Sequence, residues 1–332
     1  MLNLTFKMLY TPCDVQQVTA LQQSILLTFS KFFDFITGLI AIPITLYALR
    51  LCIKPNRFHI NFRMIGAIHC FCLFVHCVGR FIQNASAIYL WMFIEPVCEQ
   101  RMYFALCLPA RLMYIFGLYS SSLSSLFMCI ERTIATKFYA QYENKSWHLG
   151  VVLVISQVVL SIIVTLGYFG NSVLVDRPAF CYFDFTREFA LGCESVMITA
   201  NIIGFWQCRR LNRINTNIRS ELNTIDLGQK FQVEENKMLI RIMDTFTKMD
   251  FGFMMVFFSF GGFQQIIRKY IPVPTFFAVY ELIHCVPLYA IIVLILMMKV
   301  IGKLRAQQSQ EIIKVVQTKD DAYFHYFSRE WK

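Results

Sequence analysis

In the stretch LFMCIERTIATKFYAQYE, Glu131 and Arg132 stand side by side at the end of a long apolar run. An arginine in that position suits one kind of chemistry. Its planar fork can hold a carboxylate and later exchange it for backbone carbonyls of a partner. Asp244 and Asp250, in RIMDTFTKMDF, are the acidic residues expected to take the other end of such a switch. A competing reading makes the pair the solvated end of a buried helix. A second set of charges lies inside apolar sequence: Arg80, Arg111, Glu281 and His284, with Lys31 and Asp34 three residues apart. That spacing puts Lys31 and Asp34 on one helix face. Charges within apolar segments usually face a protein interior and mark functional sites. Arg80, Arg111, Glu281 and His284 would line a pocket for a small polar or anionic ligand, the alternative being side chains that snorkel to an interface.

Such residues need a scaffold, and composition names it. Of 332 residues, 57% are hydrophobic and only 16% charged, with mean hydropathy +0.52. A soluble domain would carry about a quarter charged residues. The apolar residues gather in blocks long enough to cross a bilayer as helices. Seven blocks are expected to span, over 32–53, 64–82, 108–130, 149–169, 189–206, 251–267 and 275–298. The fold class is therefore an all-α membrane protein, a seven-transmembrane helix bundle. Residues 1–31 precede it and 299–332 form a polar tail.

The net charge of +10 suggests nucleic acid only in a soluble protein. Here the basic residues sort by loop. The loops after spans one, three and five and the tail, with their flanking helix ends, hold 22 of the 31 Lys and Arg; the N-terminus and the other loops hold 6. The positive-inside rule then places the N-terminus outside and the C-terminus in the cytoplasm. No basic start, apolar run and small-residue cleavage site opens the chain, so no cleaved signal peptide is expected. Sequons at Asn3 and Asn84 fall outside and are expected to carry glycans; Asn144 falls inside.

With that topology, Glu131 and Arg132 sit at the cytoplasmic end of span three. Five serines in GLYSSSLSSLF mark span three as a close-packed central helix. Cys13, Cys98, Cys107 and Cys181 fall outside, where disulfides form. Cys107 precedes Glu131 by a helix length of about 36 Å, at the outer end of span three. A bond from there to Cys181 would pin the loop after span four, and Cys98 is the alternative partner. Pro43 and Pro287 are expected to kink spans one and seven.

Enzyme chemistry finds no support. HExxH, GxSxG, P-loop and di-iron HxxxH patterns are lacking, and no CxxC pair suggests zinc. No cofactor or metal is expected. A transporter or channel is the main rival, but no internal repeat appears and polar residues gather at the bundle ends.

Seven spans with an acid–Arg pair ending span three resemble a G-protein-coupled receptor. The rhodopsin-like pattern fits in part: IERT stands for Asp/Glu-Arg-Tyr, and VPLYA keeps a Pro and a Tyr of span seven. CIERTIATKFYAQYE more closely resembles the Glu-Arg-x-x-Ala-Thr … Tyr-Glu signature of the nematode serpentine chemoreceptors of the Sra superfamily. FHINFRMI resembles their entry to span two, and DDAYFHYFSREW the tail of the Sre class. The resemblance implies a chemoreceptor in a plasma membrane, that of a sensory-neuron cilium. It would couple a small external molecule, odorant or pheromone-like, to a heterotrimeric G protein.

Overall fold

The structure, a computed structural model, describes residues 8–9, 13–54, 59–138, 147–170, 172–175, 180–181, 184–185, 187–221, 227–304 and 306–307. Asn3, Asn144, Tyr142, Glu143, Phe58 and the tail motif lie outside the described residues.

A short helix α1 (Val15–Gln22) opens the fold, N-capped by Asp14, which accepts from the Gln17 amide at 3.1 Å. The bundle follows: α2 (Ile25–Ile53), α3 (Ile60–Phe93), α4 (Phe104–Lys137), α5 (His148–Gly170), α6 (Arg187–Glu221), α7 (Leu227–Ile267), α8 (Val273–Ile283) and α9 (residues 286–304). Among the described residues, six stretches are long and apolar enough to cross a membrane, α8 and α9 together making the last. The expected sixth span lies in the second half of α7, where Asp250, Gln264 and Gln265 dilute its apolar character. The protein is a seven-transmembrane bundle.

Helix α4 is its axis. In its most apolar stretch 78% of residues are buried, against 22–50% in the other five. It packs against α3, α5, α6 and α7. The sequence explains why. Gly117 of α4 lies so close to α3 that an added Cβ would meet the Cys72 carbonyl at 2.5 Å; Gly79 of α3 would meet the Ala110 carbonyl at 2.6 Å. The serine run is buried throughout and lets neighbours bond to it. Gln157 of α5 donates to the Ser120 carbonyl and Ser124 Oγ, each at 2.8 Å, and Asn201 of α6 donates to Ser122 Oγ at 2.8 Å. Without water in the surroundings, such bonds satisfy groups that would otherwise be costly.

Span seven differs from expectation. It is two helices, broken at His284 and Cys285. Pro287 causes this: it lacks the N–H for the bond back to Ile283 and disfavours helical geometry in the residue before it. It therefore starts a helix instead of bending one. Pro43, by contrast, sits within an α2 that runs continuously past it.

The all-helical expectation needs one addition, a small sheet. β1 (Met8–Leu9) pairs in parallel with β2 (Ser172–Val175), which pairs antiparallel with β3 (Asp184–Phe185). Two disulfides lie at the same end, Cys107–Cys181 and Cys13–Cys98. Cys98, the alternative partner for Cys181, is thus joined to the N-terminal segment instead.

Candidate functional site

Beneath the disulfides, four fully buried charges from three helices meet. Lys31 and Asp34 come from α2, Arg80 from α3 and Glu281 from α8. Arg80 donates through one nitrogen to both Asp34 and Glu281. Lys31 Nζ lies 4.0 Å from Glu281 Oε1 and sits over the rings of Phe180 and Trp91 at 4.3 and 5.3 Å. The expected pairing of Lys31 with Asp34 is therefore replaced by a crossed arrangement. The physical reason is reach: Asp34 has a short side chain, and the close α2–α3 contact brings a stronger fork donor to it.

Arg111 of α4 stands beside this cluster. It donates to the Cys181 carbonyl at 2.7 Å and to the Tyr280 hydroxyl at 3.1 Å. Helix α4 is thereby tied to the disulfide-pinned loop and to α8. Its guanidinium and that of Arg80 lie 5.2 and 5.3 Å from the Tyr114 ring. His284 stacks on Tyr280 at 3.9 Å and bonds the Tyr280 carbonyl through Nδ1 at 2.7 Å. All four expected ligand residues, Arg80, Arg111, Glu281 and His284, thus converge at one end of the bundle. None snorkels: Arg80, Arg111 and Glu281 are 0% exposed.

Several buried atoms at this end have no hydrogen-bond partner among the described residues. They include Arg80 Nε and Nη1, His76 Nε2, Asp34 Oδ1, and the whole side-chain amides of Gln83 and Asn84. Each unmet group costs about 1–3 kcal/mol. The set mixes donors and acceptors, which is the complement of a small polar molecule. Sequence reading missed His76, Gln83, Tyr114 and Tyr280. Spacing carried a signal: Gln83 lies three residues after Arg80, and His76 four before it, on the same face.

Asn84 requires a correction. It is 0% exposed within α3, which continues to Phe93. Span two is longer than expected, so the sequon lies inside the bundle and has no room for a glycan.

At the opposite end, Arg132 is nearly buried on α4 and grips Glu131 with two nitrogens. Its Nη1 donates to Asn236 of α7 at 3.1 Å, and its guanidinium lies 5.4 Å from the Phe62 ring. Asn236 in turn donates to Asn215 of α6 at 2.8 Å and to Thr136 at 3.1 Å, while Asn215 donates to Thr136 at 3.0 Å. One polar network ties α4, α6 and α7.

The expected acidic partners of Arg132 lie elsewhere. Asp244 pairs with Lys248 one turn along α7. Asp250 is buried deeper and accepts from Tyr289 of α9 at 2.6 Å. Depth along α7 decides this. Asn236 and Asp244 are eight residues apart on α7, more than two turns, so the Asn is at the depth of Arg132 and the acids are not. Asn236 and Asn215 gave no sequence signal, because amides in a long polar loop read as solvated.

Comparison with known proteins gives a consistent result. Residues 12–332 match the family described as serpentine type 7TM GPCR receptor class ab chemoreceptor. Serpentine receptor class alpha/beta-14 of Caenorhabditis elegans is 24% identical over 250 residues, covering 70% of this chain and 62% of that protein. The chain thus aligns with under two thirds of that relative. Serpentine receptor class epsilon-1 of the same organism is 24% identical over 267 residues, covering 80% and 72%. The class epsilon relative is no more similar than the alpha/beta one, so the Sre resemblance of the tail has no separate support.

Proposed function

The chain belongs to the serpentine class ab chemoreceptor family, and we propose that it binds a small polar molecule at the Arg80–Glu281 end and signals to a heterotrimeric G protein from the Arg132 end. As a member of a receptor family it is a multi-pass membrane protein. The proposed setting is a plasma membrane, that of a sensory cilium, with the disulfide end outside and the basic end in the cytoplasm. The sorting of Lys and Arg supports that orientation.

One observation carries the reading: Arg80 links α2 and α8 through two buried carboxylates, amid polar atoms that lack partners. A ligand that satisfies those atoms changes the balance among α2, α3 and α8. The break in α8–α9 beside His284 gives the motion a joint. Asp250 and Tyr289 connect α9 to α7, and α7 reaches Arg132 through Asn236. A ligand shifts such a balance only by binding its two arrangements unequally. Opening would release Arg132 from Asn236 and let it meet backbone carbonyls of the partner.

The test is a screen of small polar compounds on cells expressing the protein, read by G-protein activation and by surface staining. A compound that activates the wild type should lose potency at least tenfold with Glu281→Gln at equal surface staining. Unchanged potency would sink the proposed site.

A further inference from the structure

A cavity of about 320 Å³ lies at the Arg132 end, on the side of α4 away from α5 and α6. It is lined by α2, α3, α4, α7 and α9. Phe62, His69, Met128, Met243, Phe246 and Met297 are among the residues that line it. It lies at the opposite end of the bundle from Arg80 and shares no lining residue with the cluster there. Its volume falls within the range of small-molecule sites.

The wall is mostly apolar, and His69 and Arg63 are its basic residues. His69 is 2% exposed; the Ser121 backbone lies near its ring, but neither ring nitrogen makes a well-aligned hydrogen bond among the described residues. Its ring meets the Phe246 ring edge-on at 5.0 Å. A buried imidazole without a well-aligned hydrogen bond costs more than a phenyl ring would in the same place. Arg63, also on the wall, turns its fork away to the carbonyls of Cys52 and Ile53. Its charge is therefore engaged, which disfavours an anionic head. Methionines on three helices give the wall adaptable shape. Exposed Tyr47 and Gly302 stand at its rim, between α2 and α9.

We propose that this cavity is a second ligand site, for a neutral amphiphile with an apolar body and one hydroxyl or carbonyl that bonds His69. The occupant touches Phe62, whose ring lies under Arg132, and Met243 and Phe246 of the helix that carries Asn236. It therefore bridges the helices whose separation the Arg132 network controls.

The probes are a diazirine-bearing long-chain alcohol and its alkane counterpart without the hydroxyl, applied to the receptor in lipid nanodiscs. After photolysis, mass spectrometry maps the label. The alcohol should label cavity peptides at least fivefold more than the alkane, and excess unlabelled alcohol should compete. His69→Phe should abolish that preference and His69→Gln should retain it. Gly66→Leu is the second variant: a Cβ there meets nothing nearer than Cys52 Sγ at 3.6 Å, so the side chain fills space without disturbing backbone. It should block labelling while thermal unfolding stays within a few degrees of wild type. Equal labelling by alcohol and alkane, or labelling undiminished in both His69→Phe and Gly66→Leu, would overturn the proposal.

Discussion

Arg80 on α3 donates to Glu281 on α8, 201 positions later in the chain, and both side chains are fully buried. The same guanidinium nitrogen reaches Asp34 on α2. One cation thus holds three helices, each of which also contacts solvent or lipid on its other face. Charges this deep are costly alone and tolerable only together.

Removing the cation should therefore hurt more than removing a pair. Arg80→Ala leaves two buried carboxylates and should cost about 3–5 kcal/mol. Arg80→Met with Asp34→Asn and Glu281→Gln should recover a large part of that loss. Thermal unfolding of the purified protein in detergent measures both. If the triple variant is less stable than Arg80→Ala, the cluster is not organised around Arg80.

The two disulfides constrain different segments, the N-terminal arm and the loop after α5. Cys107→Ser, Cys181→Ser and the double variant should destabilise equally, because all three break one bond. Cys13→Ser added to Cys181→Ser should be roughly additive, each bond contributing about 2–5 kcal/mol. Peptide mapping without reductant should recover Cys13 with Cys98 and Cys107 with Cys181; a Cys98–Cys181 peptide contradicts the assignment.

Arg132 is predicted to act through Asn236. Asn236→Ala removes a hydrogen bond to a charged group, worth about 1.5–3 kcal/mol, and should raise basal G-protein signalling about tenfold. Arg132→Ala should keep surface staining and lose agonist response. Asp244→Ala, at a half-buried position on α7 paired with Lys248, should change neither. A basal increase in Asp244→Ala and none in Asn236→Ala would reverse the roles assigned.

Close approach at Gly117 forbids any side chain there. Gly117→Ala would place a carbon 2.5 Å from a backbone oxygen of α3 and should abolish surface expression. Gly192→Ala, with nothing within 4 Å, is the matched control and should be neutral. Flow cytometry of tagged receptor distinguishes them.

Asn84 should carry no sugar. Enzymatic deglycosylation should shift the gel mobility of Asn84→Gln and wild type by the same amount. A smaller shift in the variant would place the end of α3 outside the bundle.

Much of the fold is written in local sequence. Block length and hydrophobicity mark the spans because the bilayer sets a minimum helix length and penalises polar side chains. The serine run and the Gly117 region mark α4 as the packed axis, since only small residues let helices approach closely. Intramembrane charge alone singled out Arg80, Arg111 and Glu281, and these do converge. Pairing was beyond reach. Whether Lys31 answers Asp34 or Glu281, and whether Arg132 answers Asp244 or Asn236, depends on the rotation and depth of each helix. In spans that are apolar on every side, periodicity does not fix rotation. Span seven shows a related limit: Pro287 announced a disturbance, but that it breaks the span at His284 and Cys285, where Pro43 leaves α2 continuous, is seen only in the folded chain. The cavity beside His69 belongs wholly to tertiary structure, because its wall is assembled from five helices and no one of them carries its pattern.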